Sequence, residues 1–242
     1  IIMKKSILFL LLFFTGFTSN AQFLAKMFVK NHNNIFRPSI LVSTEKNREI
    51  VMLGMTHVGE QSFYDKIKHK VDSLRNEGFI VFYEGVKIKS ENDTLNDDLF
   101  LRKFRKLTND ALYQSNPDKE KKNFKGLVYQ EKSDIGIKKG DFRNDATIKE
   151  LVQKYEKQFG EVELKTCDFE TNFNQKYKCG KVDKRITNYL VNTLREKLMI
   201  ENLLNHPESK IVFVIGQGHV PNFAHILKEN GYEYKHWLNA KK

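Results

Sequence analysis

Cysteine is scarce in this chain: Cys167 and Cys179 are the only two in 242 residues. Two thiols are too few for a structural zinc site, which takes four Cys or His ligands. They leave open either a disulfide closing a short loop in an oxidising compartment or two free thiols, since spacing alone does not set bonding geometry. No apolar run after the N-terminal segment is long enough to span a bilayer. There is no HExxH, which excludes a thermolysin-like zinc helix. Basic residues exceed acidic ones, giving a net charge of +11, yet they are scattered among Asp and Glu without a clustered face of interleaved aromatics. The surface therefore reads as solvated and basic, with no nucleic-acid partner.

What is present begins with an N-terminal pattern: Lys4 and Lys5, the apolar run SILFLLLFF, then the small and polar TGFTSNAQF. This predicts a secretory signal peptide over residues 1–21 with cleavage between Ala21 and Gln22, and Met3 as initiator. The mature chain, 22–242, is of a size for one domain, exported to the periplasm or beyond the cell.

SILVS and EIVMLG, separated by TEKNR, predict a hairpin. Ser62 is placed to cap a helix whose apolar stripe is Phe63, Ile67, Val71 and Leu74, with Gly78 at its end and FIVFY following as a buried strand up to Glu84. From about residue 90 to 160 the composition turns charged and helical, around Leu99–Leu107 and Ile148–Tyr155; this reads as a helical insertion, either solvated or a lid over a cleft. VELKTC suggests a strand ending at Asp168. Ile186, Leu190, Leu194 and Leu198 form the next helical stripe, Pro207 follows it, KIVFVIG is a strand, a helix runs from about Pro221 to Glu229, and YEYKHW closes as a strand.

Two stretches share one order. IVMLGMTHV and VFVIGQGHV, residues 50–58 and 212–220, align without gaps as apolar strand, Gly-x-x-His and Val, and each leads to a helix, a glycine and a strand. The fold class expected is α/β (α+β), duplicated β-GxxH-α-β units building a mainly parallel or mixed central sheet flanked by helices. His57 and His219 then fall just beyond the carboxyl ends of strands, where ligands of such sheets bind. After His57 the chain descends a helix of about 24 Å and climbs a strand of about 16 Å, which returns Glu84 to the same level. Counting back down the later helix and up KIVFVIG likewise sets Arg195 level with His219, on a face where Val191 and Met199 are its apolar neighbours. Two imidazoles and a carboxylate are ligands for a divalent transition metal with a position left open for water, and an arginine can hold a substrate carboxylate or a developing oxyanion.

With Gly54, His57, Glu84, Arg195, Gly216 and His219 in hand, and with LGMTHVG, VFYEGV and GQGHVPNFAHILKENGY around them, the chain resembles the TraB/Tiki family, related to TraB, PrgY and GumN-like proteins. The likeness covers the start and end of the mature chain. REKLMIENLL also resembles the Arg-x-x-x-Met-x-x-Asn pattern of erythromycin-esterase-like and ChaN-like proteins. The resemblance implies a metal-dependent hydrolase acting on a peptide or protein, with His57, His219 and Glu84 around Zn, Mn or Co and Arg195 on the substrate. The alternatives are a protein that sequesters a secreted peptide without cutting it, and a metal-independent, esterase-like hydrolase.

Overall fold

A computed structural model describes residues 38–85, 96–109, 126–173 and 175–235; the stretch expected to be a signal peptide and the end of YEYKHW lie outside them. In chain order the elements are β1 (Ser39–Ser43), β2 (Arg48–Met55), β3 (Val58–Gly59), α1 (Gln61–Asn76), β4 (Ile80–Tyr83), α2 (Asn96–Thr108), β5 (Val128–Tyr129) and β6 (Phe142–Arg143). They continue with α3 (Ile148–Phe159), α4 (Thr166–Glu170), α5 (Lys184–Asn188), α6 (Arg195–Asn205), β7 (Lys210–Gly216), α7 (Val220–Glu229) and β8 (Glu233–Tyr234). A π-helical segment, Tyr189–Leu194, joins α5 to α6 without a break.

The chain falls into two compact units. The larger contains residues 38–55 and 74–85, together with 96–109 and everything described from 137 onward. Its six-stranded sheet has the order β6-β4-β7-β2-β1-β8. β6, β4, β7 and β2 run parallel, while β1 is antiparallel to both β2 and β8. The expected hairpin is β1–β2, with Leu41 opposite Ile50. β7 is central, and its unbroken apolar run is what a strand buried on both faces requires.

One face of this sheet carries the main core. Ile50 and Met52, Phe82, and Ile211, Phe213 and Ile215 point to it by the two-residue alternation of strands, and Met199, Leu203, Phe223 and Leu227 of α6 and α7 pack against them. A second cluster is helical: Leu101 and Phe104 of α2, Ile148, Leu151 and Val152 of α3, and Leu190 and Leu194 of the π segment are all buried together. α3 starts with a capping box, Thr147 accepting from the Glu150 amide at 3.1 Å while Glu150 accepts from the Thr147 amide at 2.7 Å.

Several expectations need correction. The described part of the predicted 90–160 insertion is neither merely solvated nor free-standing: α2 and α3 form a buried cluster, and β6 pairs with β4 in the central sheet. VELKTC is not a strand, because Asp168 accepts the Lys165 amide at 2.8 Å and starts α4 instead. Ser62 lies inside α1, which begins one residue earlier. Among the described residues the closing strand is Glu233–Tyr234. Of the two readings left open for the cysteines, the disulfide is the one found, joining Cys167 and Cys179.

The smaller unit, described at residues 56–73 and 126–136, holds a two-stranded ladder of β3 and β5 and most of α1, whose Phe63, Tyr64, Ile67 and Val71 are buried as the stripe requires. Tyr64 Oη donates to the Thr56 carbonyl at 2.9 Å.

Candidate functional site

The carboxyl ends of β4, β6 and β7 converge with the start of α6. Glu84 follows β4 directly, and its amide donates to the Val214 carbonyl at 2.9 Å, which extends the ladder with β7 by one residue. Its carboxylate is therefore held beside the end of β7, where the Gly216 amide donates to Oε2 at 2.5 Å. A side chain at 216 would crowd that approach, since a Cβ there would stand 3.0 Å from Oε2. The first glycine of the other Gly-x-x-His answers a different need: a Cβ on Gly54 would collide with the Gln217 side chain, which lies across β2.

Arg195 enters from α6 and makes a two-pronged contact with Asp145, Nε to Oδ1 at 2.8 Å and Nη2 to Oδ2 at 2.6 Å. Nη2 also donates to Glu84 Oε1 at 2.6 Å. Asp145, two residues past β6 and fully buried, is itself anchored by the amides of Ala146 and Gly85, at 2.8 and 2.9 Å. The π segment sets this register. The stripe of Leu190 and Leu194 is followed by buried Arg195, Met199 and Leu203, one position later than an unbroken α-helix would place them, so Leu198 is left half-buried against the helical cluster.

His219 caps the entry to α7 and completes the cluster. Its Nε2 lies 3.5 Å from Glu84 Oε1, and its Nδ1 lies 2.5 Å from Glu196 Oε1. Burial pushes the Glu84 carboxyl up, but the bond to His219, the charge of Arg195 and the Gly216 amide outweigh it and bring it down to about 2. The His219 imidazole is raised, first by its bond to Glu84 and then by Glu196, against burial and the repulsion of Arg195. Arg195 loses from burial and gains more from Asp145 and Glu84, so its charge is held firmly. The result is an alternation of charge, Asp145, Arg195, Glu84, His219 and Glu196, in which an ionised carboxylate and a proton-binding ring meet at the carboxyl ends of the parallel strands of a mixed sheet.

The larger unit thus brings together three of the four expected residues, Glu84, Arg195 and His219. His57 belongs to the smaller unit, where its side chain is exposed and its carbonyl accepts from the Gln130 amide at 2.9 Å. Arg195 was expected to face substrate; its Nε and Nη2 are engaged by Asp145 and Glu84 instead. Asp145, Glu196 and Asn222 escaped the sequence reading. Asp145 follows a strand of two residues, too short to leave a pattern, and Glu196 looks like any charge on a helix surface.

Among the described residues no group of three or more His, Cys, Asp or Glu side chains is arranged to hold a metal ion. The donor chemistry of His219 nonetheless fits a ligand, because a carboxylate on Nδ1 leaves Nε2 as the coordinating nitrogen. Glu84 is ionised as a ligand must be, although each of its oxygens already accepts one hydrogen bond. No family model matches the sequence, and no curated protein or solved structure shows significant similarity to it.

Proposed function

We propose that the chain is an exported hydrolase of peptide or protein substrates whose reacting pair is His219 and Glu84. One observation carries this reading: a half-buried imidazole sits between two carboxylates, one of them held ionised by a buried arginine, at the carboxyl ends of parallel strands. Such a ring can take a proton from an attacking water and return it to the leaving amine, while the flanking carboxylates stabilise the imidazolium formed in between. Arg195 acts by holding Glu84 in place.

A divalent ion, Zn, Mn or Co, belongs to the reading as the resemblance to TraB/Tiki proteins suggests it, with His219 and Glu84 of the larger unit as the residues that would hold it. Bound there, it would supply a more acidic water. The engagement of both Glu84 oxygens favours a second reading, in which His219 works as an acid–base group without metal. Export draws support from the disulfide, which suits an oxidising compartment, and no helix among the described residues is long and apolar enough to cross a membrane.

The duplication is part of the same proposal. β2 and β7 are parallel neighbours, with Met55 beside Gly216. Gly78 and Gly231, both at positive φ, end α1 and α7 with the same pair of backbone bonds and are each followed by a buried aromatic, Phe79 and Tyr232.

The test is hydrolysis of peptide mixtures and small esters by purified mature chain, with and without chelator, alongside metal analysis of His57→Ala, Glu84→Gln and His219→Asn. Peptide products that vanish with chelator and with His219→Asn support the metal-dependent peptidase. Cleavage that survives chelator but not His219→Asn selects the metal-independent reading. Retention of intact peptide with no products overturns both in favour of sequestration.

A further inference from the structure

Glu196 stands next to Arg195 on α6 and belongs to no motif, yet both of its oxygens are committed. Oε1 lies 2.5 Å from His219 Nδ1, and Oε2 accepts from Asn222 Nδ2 at 2.5 Å, with the Glu196 side chain only 12% exposed. Both neighbours of the ring are carboxylates that only accept, but Glu196 stands at 2.5 Å from Nδ1 and Glu84 at 3.5 Å from Nε2, so in the neutral ring the hydrogen belongs on Nδ1. Nε2 is then the nitrogen left to face Glu84. Asn222, three residues after His219 and on the same helix, holds the second oxygen and so stops the carboxylate from turning away. Arg195 and Glu196 work as neighbours on opposite partners: the first fixes the carboxylate of the pair, the second fixes its imidazole.

We infer that Glu196 is a positioning residue for His219, seconded by Asn222, and that the two fix which ring nitrogen carries the hydrogen and which is presented for chemistry. This rests on the reading of His219 as the reacting group. A mere tie between α6 and α7 would show in stability with kcat unmoved, so the tautomer read together with kcat is the decisive observable.

The full mature chain, labelled with nitrogen-15 at histidine, is examined by long-range proton–nitrogen correlation at a pH where the ring is neutral, and hydrolysis is assayed in parallel. The expected result is a wild-type His219 with its hydrogen on Nδ1. Glu196→Ala should move the population toward Nε2–H and lower kcat about 10- to 100-fold with KM nearly unchanged, the usual effect of losing such an outer partner. Glu196→Gln keeps an acceptor oxygen for Nδ1–H while Asn222 turns its amide, so it should retain the tautomer and recover most of the rate. If Glu196→Ala does not fold, Asn222→Ala at its exposed site carries the test and should give a mixed tautomer population. A wild-type ring with Nε2–H, or variants whose tautomer and kcat do not change, would overturn the inference. A tautomer that moves as expected in a chain that hydrolyses nothing would support the positioning role while sinking the hydrolase reading.

Discussion

A side chain at position 216 would enter space that Glu84 and His219, the proposed reacting pair, already fill, since its Cβ would lie 3.0 Å from Glu84 Oε2 and 3.3 Å from His219 Cδ2. Gly216→Ala should therefore push the carboxylate off the Gly216 amide, cost about 1–3 kcal/mol by overpacking and remove most turnover. At Gly54 the obstacle is the free end of a flexible side chain, Gln217 Oε1. Gly54→Ala should let Gln217 swing aside, so melting temperature and activity should change far less than in the first variant; equal losses in both would contradict this. Arg195→Lys addresses the buried fork. An ammonium cannot reproduce two parallel donors to Asp145 and a third to Glu84. Melting temperature and activity should fall together, and Arg195→Ala, which strands a buried Asp145, should cost roughly 3–5 kcal/mol. Lysine variants with an unchanged melting temperature but lost turnover would instead return Arg195 to the substrate.

At the level of elements, the π segment decides whether Arg195 reaches Asp145 at all. Deleting exposed Asn192 would let Tyr189–Leu194 close as ordinary α-helix and turn Arg195 about 100° relative to Leu190. Helix content should survive while stability falls by roughly the value for breaking the buried pair, about 3–5 kcal/mol; circular dichroism with thermal melting reads both, and an unaltered melting temperature would show that the bulge does not set the register. This element also marks the boundary of what was legible. The β strands, α1 and α7 follow from apolar runs, stripes and terminal glycines, because those signals are local. Arg195 on a buried face was legible from Val191 and Met199; simple lengths set Glu84 level with His57, whereas the histidine it meets in the larger unit is His219. The bulge left no trace in the stripe of Ile186, Leu190, Leu194 and Leu198, which reads as uninterrupted α-helix. Asp145 was hidden for another reason: it is brought to Arg195 across 50 residues by β6, a strand of two residues with no pattern of its own.

For the whole molecule, the shifted groups fix how stability should vary with pH. Glu84, lowered from 4.5 to about 2, contributes stability present above pH 4.5 and lost as pH falls through about 2, on the order of 3 kcal/mol. Asp168 is also lowered, because burial is outweighed by Lys106, the Lys165 amide and Tyr177, and it acts in the same direction. His219 is raised, so its contribution is complete below its ordinary 6.5 and disappears as pH rises through its folded value. These three groups together place greatest stability between about pH 4.5 and 6.5. Denaturant unfolding across pH should show that maximum, and Glu84→Gln should flatten its acid side. The loop closed by Cys167 and Cys179 provides the other whole-chain test. Their separation of 12 residues corresponds to roughly 3 kcal/mol of lost unfolded-state freedom. Inside that loop, however, fully buried Arg105 donates to the carbonyls of Asp168, Thr171 and Asn172, and Tyr177 and Lys106 both bind the Asp168 carboxylate. These bonds hold the loop against α2 without the sulfurs. Replacing both cysteines by serine, or adding reductant, should lower the melting temperature by an amount matching about 2–3 kcal/mol yet leave the hydrolysis rate at low temperature unchanged. A double-serine chain that melts like wild type would show that the bond does not form in the folded protein, and with it would go the support that the disulfide lends to export.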